Sequence, residues 1–258
     1  STKYLGERFD IHGGGMDLKF PHHECEIAQN VAANKVEKPV NYWIHGNMLT
    51  VNGRKMAKSE CNGFTPDELI TGNHKLLERG YSPMTVRFFM LMGHYASTLD
   101  FSNDALIAAE KGLSKLTNAV ETLYKLKAKE KANKDISVSD LSDKCYAAMN
   151  DDFNTPVLIA TLFEGVKWIN SAADGRMELD KDQIDSLKTL YKGFLDNVLG
   201  LKYATVDEIL EILKRTYCSK AGVEFMHMED PEEKSWIQER IEGKEKEISF
   251  TSEGKKAM

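Results

Sequence analysis

Apolar positions in the first quarter of the chain fall in short runs broken by glycine; beyond it they recur at helical spacing. Phe9-Asp10-Ile11-His12 runs into Gly13-Gly14-Gly15, the pattern of a strand that stops at a glycine turn. Pro21 opens a helix from His22 to about Asn34, because proline is tolerated in a first helical turn. Tyr42-Trp43-Ile44-His45 reads as a buried strand. Asn52-Gly53, set between Met48-Leu49-Thr50-Val51 and Arg54-Lys55-Met56, is a strong hairpin signal.

Helical signals follow. Thr65-Pro66-Asp67-Glu68 combines a capping threonine, a proline at the first helical position and a glutamate three residues on, a capping box. Met84, Arg87, Phe88 and Leu91 carry the period onward. A long helix begins at Ser102 and runs to about Lys131, with Leu106, Ala109, Leu113, Leu116, Val120, Leu123 and Leu126 as its apolar stripe. Further helices are predicted over 139–150, 155–173, 180–199, 205–218 and 231–242. The fold class is thus an α/β half-domain followed by a mostly α-helical bundle. Its divisions are 1–64, 65–101, 102–200 and a carboxy-terminal extension over 201–258. Two or three strands cannot complete a sheet.

Composition narrows the possibilities. The 258 residues are 41% hydrophobic, enough for real cores and too much for a wholly disordered chain. No apolar run approaches the roughly 20 residues that span a bilayer, and no signal-peptide pattern opens the chain. Cys25, Cys61, Cys145 and Cys218 form no CxxC pair, so they read as reduced thiols of a cytoplasmic protein. With 34 Lys+Arg against 40 Asp+Glu the formal charge is −6, which argues against bulk electrostatic binding of nucleic acid but not against a local basic groove.

Three stretches could carry chemistry. In His22-His23-Glu24-Cys25-Glu26, His22 and Glu26 are four apart and share a helix face, with Cys25 nearly on it. This is half a zinc site, or else a polar helix start with glutamates at the positive dipole end. Gly13-Gly14-Gly15-Met16-Asp17 offers open backbone and an acid that can accept from ribose hydroxyls, or a plain turn. Lys55-Met56-Ala57-Lys58-Ser59, past the hairpin, can hold a polyphosphate by point charge, or form a solvated surface. Residues 57–63 have no apolar anchor before Phe64, so a mobile loop is expected.

The order of these parts resembles the class I aminoacyl-tRNA synthetases, and within them the cysteinyl-tRNA synthetase family. The stretch from Phe9 to Leu18, with Phe20-Pro21-His22-His23-Glu24-Cys25-Glu26-Ile27-Ala28-Gln29, is similar to that family's signature strand, loop and helix. His45-Gly46, Gly53 and Lys55-Met56-Ala57-Lys58-Ser59 resemble its HG…KMSKS segment. Arg87-Phe88-Phe89, His94-Tyr95 and Leu99-Asp100-Phe101-Ser102 resemble its stem-contact region, and Asp151-Asp152-Phe153-Asn154-Thr155-Pro156 a stretch of its helical domain.

The resemblance implies ATP, cysteine and tRNA(Cys) as partners and zinc as a metal. It makes His22 and Glu26 two zinc ligands, Gly15 and Asp17 the ribose-contacting GxD element, and His12 part of the cysteine pocket. Trp43, His45 and Gly46 would border adenine. Lys58, with Lys55, would steady the phosphates, so Lys58, Lys55 and His12 are the catalytic candidates.

Departures are clear as well. Cys25 stands where the family commonly has asparagine, which argues against a ligand role. Ala57 replaces the first serine of KMSKS, and Glu60-Cys61 stand where Leu-Gly is usual. Residues 202–258 match the family's anticodon-recognising end only loosely. The family's amino-terminal half-fold, its HIGH-like motif and two zinc-binding cysteines precede the resembling stretch. The expectation is therefore an incomplete zinc site, well under one zinc per chain, and no activity from this chain alone. Two alternatives are a tRNA-binding module without chemistry and a related cysteine-activating ligase of thiol-cofactor synthesis.

Overall fold

The computed structural model describes residues 2–130 and 133–201. The expected helices at 205–218 and 231–242, the extension beyond 201 and Cys218 lie outside the described residues. After a four-residue helix α1 (Thr2–Leu5), strand β1 (Phe9–Gly15) pairs in parallel with β2 (Val40–Gly46), joined by helix α2 (Glu24–Asn34). The three glycines expected to turn the chain belong to β1 and are paired, Gly13 with Ile44, Gly14 with His45 and Gly15 with Gly46. Helix α2 starts at Glu24, two residues later than expected, because Lys19–His23 form a π-type turn with extended Phe20 ahead of a cis Pro21.

This βαβ unit is thinly packed. Among the described residues ahead of β3, only His23, Pro39 and Val40 are buried. Ile11 and Tyr42, opposite one another across the two strands, are 60% and 68% exposed. The incomplete sheet expected from sequence thus leaves an apolar face open to water.

A second sheet follows through Asn47, whose backbone N–H donates to the Tyr95 carbonyl at 2.9 Å. Strands β3 (Leu49–Val51) and β4 (Arg54–Lys55) form the expected hairpin, with Asn52 and Gly53 at φ of 50° and 74°. Both positive angles are what a two-residue I′ turn requires. A strand absent from the sequence reading, β5 (Leu99–Phe101), adds in parallel to β3. Between them lie helices α3 (Pro66–Thr71), whose capping box at Thr65 and Glu68 is formed, and α4 (Pro83–Leu91).

The main core is helical. Helix α5 (Asn103–Lys125), α6 (Val138–Asn150), α7 (Thr155–Ala173) and α8 (Lys181–Tyr191) bury Leu116, Leu123, Leu141, Leu158, Leu162 and Leu187 almost completely. Each such leucine contributes about 1.5–3 kcal/mol of transfer free energy. Helix α5 ends at Lys125, short of the expected Lys131, since Leu126 turns to an extended ψ of 139°. The expected 180–199 helix is α8 continued by a π-type segment, Lys192–Val198. Among the described residues no helix is long and apolar enough to cross a membrane.

Candidate active site

The register of β1 and β2 builds one wall of the site. Side chains alternate along a strand, so His12 and Gly14 share a face with their partners Trp43 and His45. His12 stacks on Trp43 at 4.5 Å between ring centroids, and Trp43 lies nearly parallel to His45 at 6.1 Å. The π-type turn after β1 then carries His22, His23 and Glu26 back to this face.

His23 is the pivot of the arrangement. It is 4% exposed, lies 4.8 Å from the rings of both His12 and Trp43, and its Nδ1 is 2.9 Å from His45 Nε2. Which nitrogen carries the shared proton depends on the tautomer. A Cβ on Gly14 would stand 2.5 Å from His23 Cε1, so glycine at that position is what lets the ring sit against the strand. Burial, followed by the neighbouring His12, pulls the His23 pKa below the ordinary imidazole value, which favours the neutral form that ligates metals.

Glu26 gathers two further histidines. Its Oε1 lies 3.1 Å from His22 Nε2, its Oε2 3.5 Å from His12 Nε2. The donor atoms of His12, His23 and Glu26 all fall within 4.8 Å of one another. Imidazole nitrogen and carboxylate oxygen are zinc donors, and the donor chemistry of His12, His22, His23 and Glu26 therefore fits that metal. Cys25 is exposed on α2 and belongs to no such set.

Gly15, Asp17, His45 and Gly46 lie at or just past the carboxyl ends of the two parallel strands, the edge where open α/β folds place ligands, whereas Lys55 and Lys58 belong to the second sheet and the turn after it. Gly15 pairs with Gly46 at that edge, and the Asp17 carboxylate folds back over the Gly15 Cα, into space that a side chain would occupy. Lys55 is exposed on β4, and Lys58 begins a short 3₁₀ turn, Lys58–Glu60. The loop that follows is pinned, contrary to the expectation of few buried contacts. Asn62 is buried, accepts from the Ala57 N–H at 3.0 Å and donates to the Lys55 carbonyl at 3.0 Å.

Sequence reasoning passed over His23 and Asn62. The His22-His23 doublet was a signal for the first, but a regular helix from His22 would not predict which ring turns inward. Nothing short of the loop's own geometry marks Asn62, a polar residue in a polar stretch.

Residues 1–111 match the family described as tRNA synthetases class I (C) catalytic domain, and residues 144–204 match the DALR domain. Fold and site thus define a class I aminoacyl-tRNA synthetase catalytic piece with a helical domain behind it. A LeuRS of Agrobacterium radiobacter K84, solved in a ternary complex with tRNA and LeuAMS, has the same fold over 72% of this chain and 25% of its own. The TM-score is 0.51 and the identity 17%, a likeness of fold alone.

Over 200 residues the chain is 54% identical to the cysteine–tRNA ligase of Bacteroides fragilis, covering 78% of this chain and 40% of that protein. The Azobacteroides pseudotrichonymphae cysteine–tRNA ligase is 47% identical over 241 residues, 92% of this chain and 48% of its own. That of Porphyromonas gingivalis is 50% identical over 200 residues. The chain belongs to the cysteinyl-tRNA synthetase family, and spans between 40% and 48% of the length of these Bacteroides and Azobacteroides relatives.

Proposed function

We propose that this chain supplies one side of a site that activates cysteine with ATP and passes it to tRNA(Cys), working in the cytoplasm. The observation that carries the reading is the gathering of His12, His22, His23 and Glu26 beside the strand ends that present Gly15, Asp17, His45 and Gly46. An amino-acid pocket and a nucleotide edge thereby adjoin, as an acyl-adenylate requires.

In this reading the Asp17 carboxylate accepts from the ribose hydroxyls, and the small Gly15 and Gly46 let the nucleotide approach the backbone. Trp43 and His45 border the adenine. Lys58, supported by Lys55, offsets phosphate charge as the cysteine carboxylate oxygen attacks the α-phosphorus and pyrophosphate leaves. Such catalysis is positioning and charge stabilisation more than covalent chemistry. His22 and Glu26 are the positions that the resemblance makes zinc ligands, and zinc, when bound, holds the substrate sulfur as a thiolate. His12 closes the pocket against Trp43. The helices from α5 onward form the surface for tRNA, and the DALR match over 144–204 favours that partner over a small thiol cofactor.

The test is cysteine-dependent exchange of labelled pyrophosphate into ATP by this chain mixed with the portion of the Bacteroides fragilis ligase that precedes the matched stretch. Lys58→Ala should cut exchange at least tenfold while the melting temperature stays within a degree or so. Undiminished exchange in the variant overturns the assignment of Lys58, and a fall of many degrees makes the lysine structural.

A further inference from the structure

The two lysines of the proposed phosphate site belong to a hairpin and the loop after it, and a loop holds charge in place only where other residues fix its backbone. Two polar side chains do so. Asn62, 7% exposed, closes residues 55–62 into a ring: its amide donates to the Lys55 carbonyl and accepts from the Ala57 N–H, each at 3.0 Å. These are the peptide groups on either side of Met56, whose own N–H donates to the Leu49 carbonyl at 3.0 Å and whose side chain packs against the main core. Inside the ring the Glu60 N–H donates to the Ala57 carbonyl at 3.1 Å, and Cys61 takes a left-handed φ of 48° where the chain returns toward Lys55. Packing alone would not call for an amide at this position. An aliphatic side chain there would leave the Lys55 carbonyl and the Ala57 N–H without these partners, at a cost that the polarity of Asn62 avoids.

Asp100 braces the same unit from its other end. It stands opposite Thr50 in the parallel pairing of β5 with β3. Its Oδ1 accepts from the Thr50 hydroxyl at 2.5 Å and from the Gly53 N–H at 2.8 Å, while the Asn52 N–H donates to the Phe101 carbonyl at 3.0 Å. One carboxylate oxygen thus ties the turn of the hairpin to the neighbouring strand, and that hairpin leads directly into Lys55.

We propose that Asn62 and Asp100 are positioning residues of the adenylate-forming step, holding the segment with Lys55 and Lys58 preformed for the triphosphate of ATP. Neither is placed against ATP itself; each acts through the backbone that carries the lysines. The proposal rests on the reading that this segment meets the phosphates. Charge already in place as negative charge builds on the leaving pyrophosphate stabilises the transition state without reorganisation, an advantage lost when the loop must first be ordered. Loss of either residue should therefore lower kcat rather than raise the KM for ATP.

The experiment has two readouts, with a melting curve for every variant. Limited trypsin digestion of the whole chain, followed by mass mapping, gives the rate of cleavage after Lys58 relative to that after Lys127 in the exposed connector. Asn62→Ala should raise this ratio about tenfold, because local opening no longer breaks two hydrogen bonds, while the melting temperature stays within about 2 °C. Pyrophosphate exchange is then measured in the mixture with the preceding portion of the Bacteroides fragilis ligase. Asn62→Ala and Asp100→Ala should each lower kcat about 10-fold or more with the KM for ATP within about threefold. Asp100→Asn, whose amide oxygen can accept the same two bonds, should recover to within about threefold of wild type, whereas Asn62→Asp, which cannot donate to the Lys55 carbonyl, should not. An unchanged cleavage ratio in Asn62→Ala overturns the proposal whether or not the mixture is active. So does an active mixture in which both alanine variants keep kcat within about twofold of wild type, or one in which Asp100→Asn is no better than Asp100→Ala. A raised cleavage ratio beside a wild-type mixture that exchanges nothing supports the pinning of the loop by Asn62 and strikes the cysteine-activation reading instead.

Discussion

The phenol of Tyr191 occupies the space that a Cβ on Gly165 would need, 2.6 Å from that position, and donates to the Leu162 carbonyl at 2.7 Å. Helices α7 and α8 meet at this point with Leu141 of α6 also 3.1 Å from the same position. Gly165→Ala should therefore destabilise the bundle by about 2–4 kcal/mol, combining overpacking with a strained buried hydrogen bond. Urea unfolding checks it. A change below about 0.5 kcal/mol, the size of a surface substitution, would mean the helices separate freely there.

Gly14 has the same relation to His23, but the neighbour is a side chain on a thinly packed unit. Gly14→Ala should displace the His23 ring and break its bond to His45 while moving the melting temperature little, because neither residue belongs to the main helical core. Histidine ring resonances in NMR spectra report the contact. Unchanged His23 and His45 resonances would show that the ring does not need the glycine.

Cys145 is buried on α6, and burial pushes its thiol up to about 11. Native protein at pH 8 should resist alkylation at Cys145, whereas exposed Cys25 and Cys61 react, as peptide mapping would show. The folded thiol holds its proton above the ordinary thiol range, so stability is full below the unfolded thiol's pKa of about 9 and falls as pH climbs toward 11. Cys145→Ala should remove that part of the alkaline loss. Equal labelling of Cys145 and Cys25 in the native state would contradict the burial argument.

At the capping box, Thr65 Oγ1 accepts from the Glu68 N–H and the Glu68 carboxylate accepts from the Thr65 N–H at 2.8 Å. These bonds from Thr65 hold the Glu68 carboxyl below the ordinary carboxylate range. Thr65→Ala should cost about 1 kcal/mol at neutral pH. A depressed carboxylate stabilises above its unfolded pKa and loses that contribution as pH falls through the folded value, so the gap between wild type and variant should narrow on acidification. A gap that stays constant from pH 7 to pH 3 would remove Glu68 from the account.

Much of this was legible in the sequence for local reasons. Asn52-Gly53 can serve a two-residue turn with positive φ at both positions, and Thr65-Pro66-Asp67-Glu68 satisfies orphan helix donors within itself. The stripe on α5 repeats over 23 residues, long enough for periodicity to be decisive. What stayed hidden depends on distant partners. Strand β5 is three residues long and exists because it pairs with β3, some fifty positions earlier. The glycines of β1 read as a turn, yet a parallel partner delivered by α2 holds them extended. The cluster around Glu26 was half visible, since helical spacing gives His22 and Glu26, but His12 and His23 join only through the sheet register and the π-type turn.

The central proposal is that this chain supplies one side of a cysteine-activating site whose other side is made by the part of its relatives outside the matched stretch. The most direct measurement is pyrophosphate exchange into ATP with cysteine or serine as substrate, by the chain alone, by the preceding portion of the Bacteroides fragilis ligase alone, and by the two together. The account predicts exchange in the mixture only, driven by cysteine and not by serine. Exchange by this chain alone at a synthetase's rate, or a mixture that responds equally to serine, would contradict it.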